Sequence, residues 1–207
     1  TMHIKPLTSA ELPAAAIALA SAFQGDPLYT FVVPAAEQRR RWLPVIKREV
    51  LRNTQPLGHT YAAFSPRGAV AGVMALTPPG HFPHPWWANA RLFWNVLLRP
   101  TPWCPQLSHL WPLRRYAATF DEIHLREPHW YVDVVGIAPE FQGQGLGTRL
   151  LHTAIELAQG SQHPLWLETQ TAANVDFYAA LGFRVTVQRQ PAPGGPPTWG
   201  MVRESAR

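Results

Sequence analysis

Gln142-Gly143-Gln144-Gly145-Leu146-Gly147-Thr148 decides the fold through what stands on either side of it. Upstream runs Trp130-Tyr131-Val132-Asp133-Val134-Val135-Gly136-Ile137, aromatic and β-branched, which reads as a buried strand. Downstream, Leu151, Ala154, Ile155 and Ala158 fall on one helical face. A glycine-rich loop therefore joins the end of a strand to the start of a helix. Glycines leave the backbone N–H groups bare and let a ligand approach closely. Those N–H groups and the positive end of the helix dipole together make an anion site. A turn that merely reverses the chain needs fewer glycines than Gly143, Gly145 and Gly147 supply.

The spacing limits which anion fits. The dinucleotide fingerprint needs G-x-G-x-x-G with an acidic residue about 20 positions on. Here the third glycine comes one residue early and position 148 is Thr. A Walker loop fails as well, because no Gly-Lys-Ser/Thr follows.

The 207 residues suffice for one large domain or two small ones, and with no linker or repeat in evidence a single domain over 1–207 is expected. Hydrophobic residues make up 46% and charged residues 15%, enough for a sizeable core. The net charge of +5 suits a polyanionic small ligand, and equally nucleic acid or an anionic membrane surface. No basic block exceeds Arg39-Arg40-Arg41, so a nucleic-acid stripe is weakly supported. Cys104 is the only cysteine, which excludes an internal disulfide and a Cys-rich metal site. The N-terminal segment has no apolar run with a cleavage site, and prolines interrupt the longest uncharged stretch. A cytoplasmic location without a membrane span is the expectation.

Along the chain, the patterns predict a strand over 3–7, then a helix capped by Thr8 or Ser9 that ends at Gly25-Asp26-Pro27. A second helix fits 35–53, with Trp42, Val45, Ile46 and Val50 on its apolar face and charges on the other. Strands fit 59–64 and 69–76 around Ser65-Pro66-Arg67-Gly68. Short helices fit 86–98 and 113–127 in a stretch rich in proline and tryptophan. The C-terminal part alternates: strand 129–137, helix 144–159, strand 164–170, helix 173–181, strands 182–189 and 197–203. Such alternation implies an α/β sheet with a parallel portion.

Two of these stretches carry a family resemblance. Val135-Gly136-Ile137-Ala138-Pro139-Glu140-Phe141-Gln142-Gly143-Gln144-Gly145-Leu146-Gly147 resembles the acetyl-CoA motif of the GNAT acyltransferases, Gln/Arg-x-x-Gly-x-Gly/Ala, met by Gln142, Gly145 and Gly147. Downstream, Leu165-Trp166-Leu167-Glu168-Thr169, Asn174 and Phe177-Tyr178-Ala179-Ala180-Leu181-Gly182-Phe183 resemble the family's second hallmark. Glu127-Pro128-His129-Trp130, Leu167-Glu168-Thr169 and Thr198-Trp199-Gly200-Met201 are most similar to the puromycin N-acetyltransferase-like branch. The match covers 127–203 well and the first 126 residues poorly.

The resemblance implies an α/β (α+β) GNAT-like fold. Its mixed central sheet has about seven strands, splayed between strands 4 and 5, with helices on both faces. It implies an acetyl-CoA core over about 127–203 and an N-terminal half that contributes the acceptor site. It implies acetyl transfer from acetyl-CoA, as co-substrate and without a metal, to a primary amine of a small molecule by direct attack in a ternary complex. An antibiotic or aminonucleoside-like acceptor fits this reading. A protein or peptide amine, or a non-catalytic acyl-CoA-binding module, stands as the alternative. No nucleic acid or membrane is expected as partner, and a homodimer is compatible.

By the same resemblance, Gln142, Gly143, Gln144, Gly145, Leu146, Gly147 and Thr148 wrap the pyrophosphate. Val135 and Ile137 pair with the pantetheine arm, Gly136 marks a bulge that opens the splay, and Asn174 supports the arm. Tyr178 is the proton donor for the leaving thiolate, since a phenol near 10 is roughly matched to an alkyl thiol. Glu168 ranks first as general base, acting directly, through water, or only by neutralising a cationic acceptor. Asp133 and Tyr131 stand on the opposing strand, where alternation puts Tyr131, Asp133 and Val135 on one face. His81-x-x-His84, His124 and His129 lack metal-site geometry and read as loop polarity. Trp86, Ala90, Phe93 and Leu97 form a helical stripe, read as core, as an aromatic acceptor pocket with Trp87, Trp94 and Trp111, or as an interfacial membrane helix.

Overall fold

The computed structural model describes residues 2–84, 90, 91, 94, 95 and 107–205. Cys104, Trp86, Trp87, Phe93, Leu97 and Trp103 lie outside the described residues, and so does most of the helix expected over 86–98. Trp94 and Trp111 are exposed.

The chain opens with strand β1 (His3–Pro6). Thr8 then starts a 3-10 turn over Ser9–Glu11 with a capping box: its N–H and hydroxyl both donate to Glu11 Oε2, at 2.9 and 2.7 Å. Helix α1 (Leu12–Ala22) follows. The chain does not become loop at Asp26, as the Gly-Asp-Pro signal predicts. Asp26 instead caps a short helix α2 (Pro27–Val32), accepting from the N–H groups of Leu28 and Tyr29 with Pro27 in the first turn. Helix α3 (Ala36–Thr54) comes next. Trp42 and Ile46 are buried as the periodicity predicts, but Lys47 and Glu49 are buried too. Strands β2 (Thr60–Phe64) and β3 (Val70–Thr77) form the predicted hairpin. Helix α4 (Leu107–Ile123) begins earlier than the pattern around Leu113 suggests. Strand β4 (Trp130–Ile137), helix α5 (Leu146–Ser161), strand β5 (Leu165–Thr169), helix α6 (Ala172–Ala180) and strands β6 (Arg184–Arg189) and β7 (Thr198–Arg203) complete the described chain.

The seven strands form one sheet in the order β1-β2-β3-β4-β5-β7-β6. Every neighbouring pair is antiparallel except β4 and β5, which run parallel and pair only at Trp130–Leu165 and Tyr131–Trp166. Beyond those two pairs the strands part, so the β5-facing edge of β4 has no partner strand from Val132 onward.

A bulge marks the parting. Ala75 faces Val134 and Leu76 faces Val132, which leaves Asp133 as an extra residue in β4. Its effect is visible in the packing. Val132 lies with Met74, Leu76 and the α5 residues Leu150, Leu151, Ala154 and Ile155. Val134 lies on the other face, with Val73, Ala75 and the α1 residues Ala15, Ala16 and Leu19. Plain alternation would place both valines together. Two expectations are thereby corrected: Tyr131, Asp133 and Val135 do not share one face, and Gly136 is not the bulge.

Gly136 instead admits helix α1. A Cβ there would meet Leu19 Cδ2 and Ala22 Cβ at 3.1 Å and Phe23 Cε2 at 2.9 Å. The Ala22 methyl cannot rotate out of the way, so the helix itself would have to retreat. Gly136→Val should lower the thermal unfolding midpoint by about 3–10 °C, from overpacking worth about 1–3 kcal/mol. Differential scanning calorimetry checks it.

Lys47 occupies the N-terminal helical layer. Its ammonium donates to the Tyr29 hydroxyl at 3.0 Å and lies 3.5 Å over the Phe23 ring. Burial pushes it down from 10.5 to about 7, against the pull of Asp26. Between those values the unfolded chain holds a proton that the folded chain has released. Stability from this group therefore rises with pH across that window. Denaturant titrations at pH 6.5 and 9.5 should show the wild type gaining on Lys47→Met, an uncharged side chain of similar length.

Candidate active site

The loop between β4 and α5 is exposed, while Leu146 anchors it in the core beside Ala63 and Ala71. Gly143 and Gly145 have φ of 74° and 70°, a left-handed conformation that favours glycine, and no atom lies within 4 Å of a Cβ built on either. Gly145 is the N-cap of α5 and no side chain caps that end. The helix's first turn of N–H groups therefore faces outward, beside Thr148, as an anion site requires. The Gln142 side-chain amide donates to the Ile137 carbonyl at 3.0 Å, which ties the loop back to the end of β4. Gln144 is exposed. Arg149 turns back to the Met2 carbonyl at 3.3 Å.

Val135 and Ile137 pack against the α5 side of the sheet. Their strand edge, left open by the parting of β4 and β5, has backbone groups that an amide-bearing ligand can pair with. Across the gap, Asn174 at the start of α6 donates to Thr169 Oγ1 at 3.4 Å, tying α6 to the end of β5. Tyr178, on the same helix, is 7% exposed between Phe177 and Phe183, with ring centroids at 5.3 and 5.8 Å. Its hydroxyl makes no hydrogen bond with a described residue. Burial, with the Asp26 charge adding to it, pushes the phenol up to about 12.

On the opposite face, the α4 side, two carboxylates flank Tyr131. Burial, Glu168 and Asp133 together hold the Tyr131 phenol well above its ordinary value. Glu168 Oε1 accepts from Trp166 Nε1 at 2.6 Å and faces His124 Nδ1 at 3.2 Å. His124 Nε2 lies 2.9 Å from His129 Nε2, and His129 Nδ1 lies 2.6 Å from the Glu127 carbonyl. That carbonyl only accepts, so His129 Nδ1 carries a proton. One more proton bridges the two imidazoles and a third bridges His124 and Glu168. Burial lowers the affinity of His129 for a proton. The His124 ring stacks on Phe82 at 3.6 Å. This group is sealed, the side chains of Glu168 and His124 being each 5% exposed, and every polar atom of the chain from Glu168 Oε1 to Glu127 is engaged.

The other carboxylate is Asp133, the bulge residue. Thr77 Oγ1 donates to its Oδ2 at 2.7 Å, and His84 Nε2 lies 3.0 Å from its Oδ1. Burial pushes the Asp133 carboxyl up, opposed by His84 and Thr77. His84, which the sequence pattern reads as loop polarity, is instead partnered with a buried carboxylate. It follows Pro78, Pro79 and Pro83 in a stretch without periodicity, and 49 positions separate it from Asp133. No local signal joins the two. Among the described residues, no group of three or more His, Cys, Asp or Glu is arranged to hold a metal ion. No described helix is long and apolar enough to cross a membrane.

Comparison with known proteins meets this geometry. Residues 26–183 match the model of the Acetyltransferase (GNAT) family. Over 60 residues the chain is 35% identical to N-alpha-acetyltransferase RimI of Mycobacterium tuberculosis (strain ATCC 25618 / H37Rv), a match that spans 28% of this chain and 38% of that protein. Among solved structures, histone acetyltransferase HPA2 and related acetyltransferase from Corynebacterium glutamicum superposes with a TM-score of 0.72 at 20% identity, covering 100% of this chain and 98% of that one. Arylalkylamine N-acetyltransferase 2 from Aedes aegypti does so with a TM-score of 0.65 at 14% identity, covering both chains fully. These likenesses carry the fold. The family match over 26–183 does not single out the puromycin-like branch, and it takes in most of the N-terminal half that the motifs left out. With a parallel β4–β5 pair that parts beside a glycine-rich helix start, the chain belongs to the Acetyltransferase (GNAT) family.

Proposed function

We propose that the protein transfers an acetyl group from acetyl-CoA to the primary amine of a small molecule, by direct attack in a ternary complex. The observation that carries this reading is the opening between β4 and β5, bordered by the uncapped helix α5 and by Tyr178. The N–H groups from Gly143 to Thr148 hold the pyrophosphate, and the open edge at Val135–Ile137 together with Asn174 takes the pantetheine arm. A backbone N–H of β4 near the bulge polarises the thioester carbonyl.

Tyr178 donates to the departing sulfur. A phenol at about 12 is a weaker acid than a thiol near ~8.5, so full transfer to the free thiolate would climb about 5 kcal/mol. Burial of the thiolate raises its own affinity for the proton and narrows that gap. Tyr178 thus acts by hydrogen bonding in the transition state. The Asp133 carboxylate lies beside the acceptor's ammonium and attracts it, and the rings of Phe82 and Tyr131 suit an acceptor with an apolar or aromatic part.

A second reading has one observation behind it. The RimI relative is named as an Nα-acetyltransferase, which makes a peptide N-terminus the competing acceptor. Release of coenzyme A from acetyl-CoA, measured with puromycin, spermidine, phenethylamine, kanamycin and a short alanine-initiated peptide, separates the two. Amine-dependent release with a small molecule is the expected result. Release with the peptide alone favours the second reading, and acetyl-CoA binding without any turnover leaves a binding module.

Two substitutions test the residue roles. Tyr178→Phe should reduce kcat at least tenfold while the Kd for acetyl-CoA stays within twofold, read by steady-state kinetics and calorimetry. Gly145→Val should weaken acetyl-CoA binding about tenfold or more, because a β-branched side chain resists the left-handed conformation and covers the N–H groups.

A further inference from the structure

We infer that His84 is the base that takes the proton from the acceptor amine, with Asp133 and Thr77 as its positioning residues. The inference rests on the reading of the cleft as an amine-acetylating site, and it follows from which nitrogen or oxygen around that cleft has room for a proton.

An ammonium must lose a proton before its nitrogen can attack. Glu168 ranks first by resemblance, but its Oε1 already accepts from Trp166 and meets His124, and that imidazole is held through His129 to a carbonyl. A proton added at Oε1 would displace one of those bonds and leave a buried polar group without its partner, and the Glu168 side chain is only 5% exposed. Asp133 is likewise taken: one oxygen holds Thr77 and the other holds His84. Tyr131 is a phenol held far from ionisation.

His84 differs. Its Nε2 faces the Asp133 carboxylate, which accepts and cannot donate while ionised, so Nε2 carries the hydrogen. Nδ1 is then the bare nitrogen, and it has no hydrogen-bond partner among the described residues. The His84 side chain is 16% exposed against 7% for Asp133, so the ring reaches from the sealed bulge toward solvent. Asp133 sits where β4 leaves β5, which sets the imidazole beside the opening. Phe82 borders both His84 and His124, at centroid distances of 5.9 and 3.6 Å, and so separates the open imidazole from the sealed one.

The proton balance is complete without another reactant. His84 Nδ1 takes one proton from the ammonium and becomes imidazolium, stabilised by Asp133. The freed nitrogen pair forms the C–N bond as the C–S pair leaves on sulfur. Tyr178 donates a hydrogen bond to that sulfur, which takes up the second proton shed by the nitrogen. His84 returns its proton to solvent, so an ammonium and a thioester become an amide, a thiol and one released proton.

The pH dependence of kcat/KM carries the test. The charged and titratable groups around His84 are Asp133 and Tyr131 on β4, Glu168 on β5, and His124 at the end of α4 across the Phe82 ring. Wild-type kcat/KM should rise with pH to a plateau. With each panel amine that the wild type acetylates, His84→Gln should lower kcat/KM at pH 7 about 100-fold and keep climbing to high pH, as only free amine then reacts. Added imidazole should restore His84→Gly at least tenfold. Asp133→Asn should lower kcat and move the acid limb. Two-dimensional ¹H–¹⁵N spectra of the free protein should find His84 protonated at Nε2 and bare at Nδ1. An unchanged limb in His84→Gln, no imidazole rescue, or an Nδ1–H tautomer overturns the assignment while leaving the acetyltransferase reading intact. A folded wild type that acetylates no panel amine, with the expected tautomer present, overturns that reading and this role with it.

Discussion

Asp133, a single extra residue in β4, is the constraint on which the rest of the site depends. A bulge turns the strand's faces over and increases its local twist. Before it, Val132 belongs to the core under α5. After it, Val134 and Gly136 belong to the core under α1. The strand keeps its antiparallel bonds to β3 throughout, yet it stays beside β5 for only two residue pairs. The cleft therefore opens inside a continuous sheet, its floor rigid on one side and its free edge exposed on the other. The same residue that opens the cleft puts a buried carboxylate beside it.

Two carboxylates beside one cleft have taken opposite roles through their surroundings. Glu168 lies under Trp166 in a closed series with His124 and His129, where Oε1 and both imidazoles are hydrogen-bonded on every side. Asp133 has one short-chain donor, Thr77, and one imidazole that extends past it. Low local dielectric makes the first arrangement rigid, because breaking any of its bonds strands a polar group away from water. The second keeps one nitrogen open at its outer end. Residue type alone does not separate them. What lies beyond each imidazole does: His129 follows His124, and no described residue bonds the far nitrogen of His84.

The C-terminal half was legible because its signals are local. The β-branched run of β4, the glycines before α5 and the apolar face of α5 each act over a few residues, and the structure has all three where the patterns put them. The parting of β4 and β5 came from resemblance and was correct. What the patterns misplaced depends on other segments. Gly136 looked like a bulge because a glycine inside a strand usually marks one, whereas its reason is the approach of Ala22 and Phe23 from a helix more than 100 positions earlier. Helix α2 was hidden by Gly-Asp-Pro, which signals a turn and, in this chain, equally an N-cap. Lys47 and Glu49 break the rule that charges face out, since each finds a partner inside: Tyr29 and Asp26 for the lysine, Arg52 for the glutamate.

By itself, the sequence determined most of the order of strands and helices, the glycine-rich helix start and the family, because glycine conformation, side-chain period and capping are properties of adjacent residues. Only the tertiary structure decided which base is free. Pairing His84 with Asp133, and sealing Glu168 behind His124 and His129, requires the stretch after β3, the end of α4 and two neighbouring strands to meet at one point. A hydrogen bond has no preferred separation along the chain, so no spacing in the sequence records it.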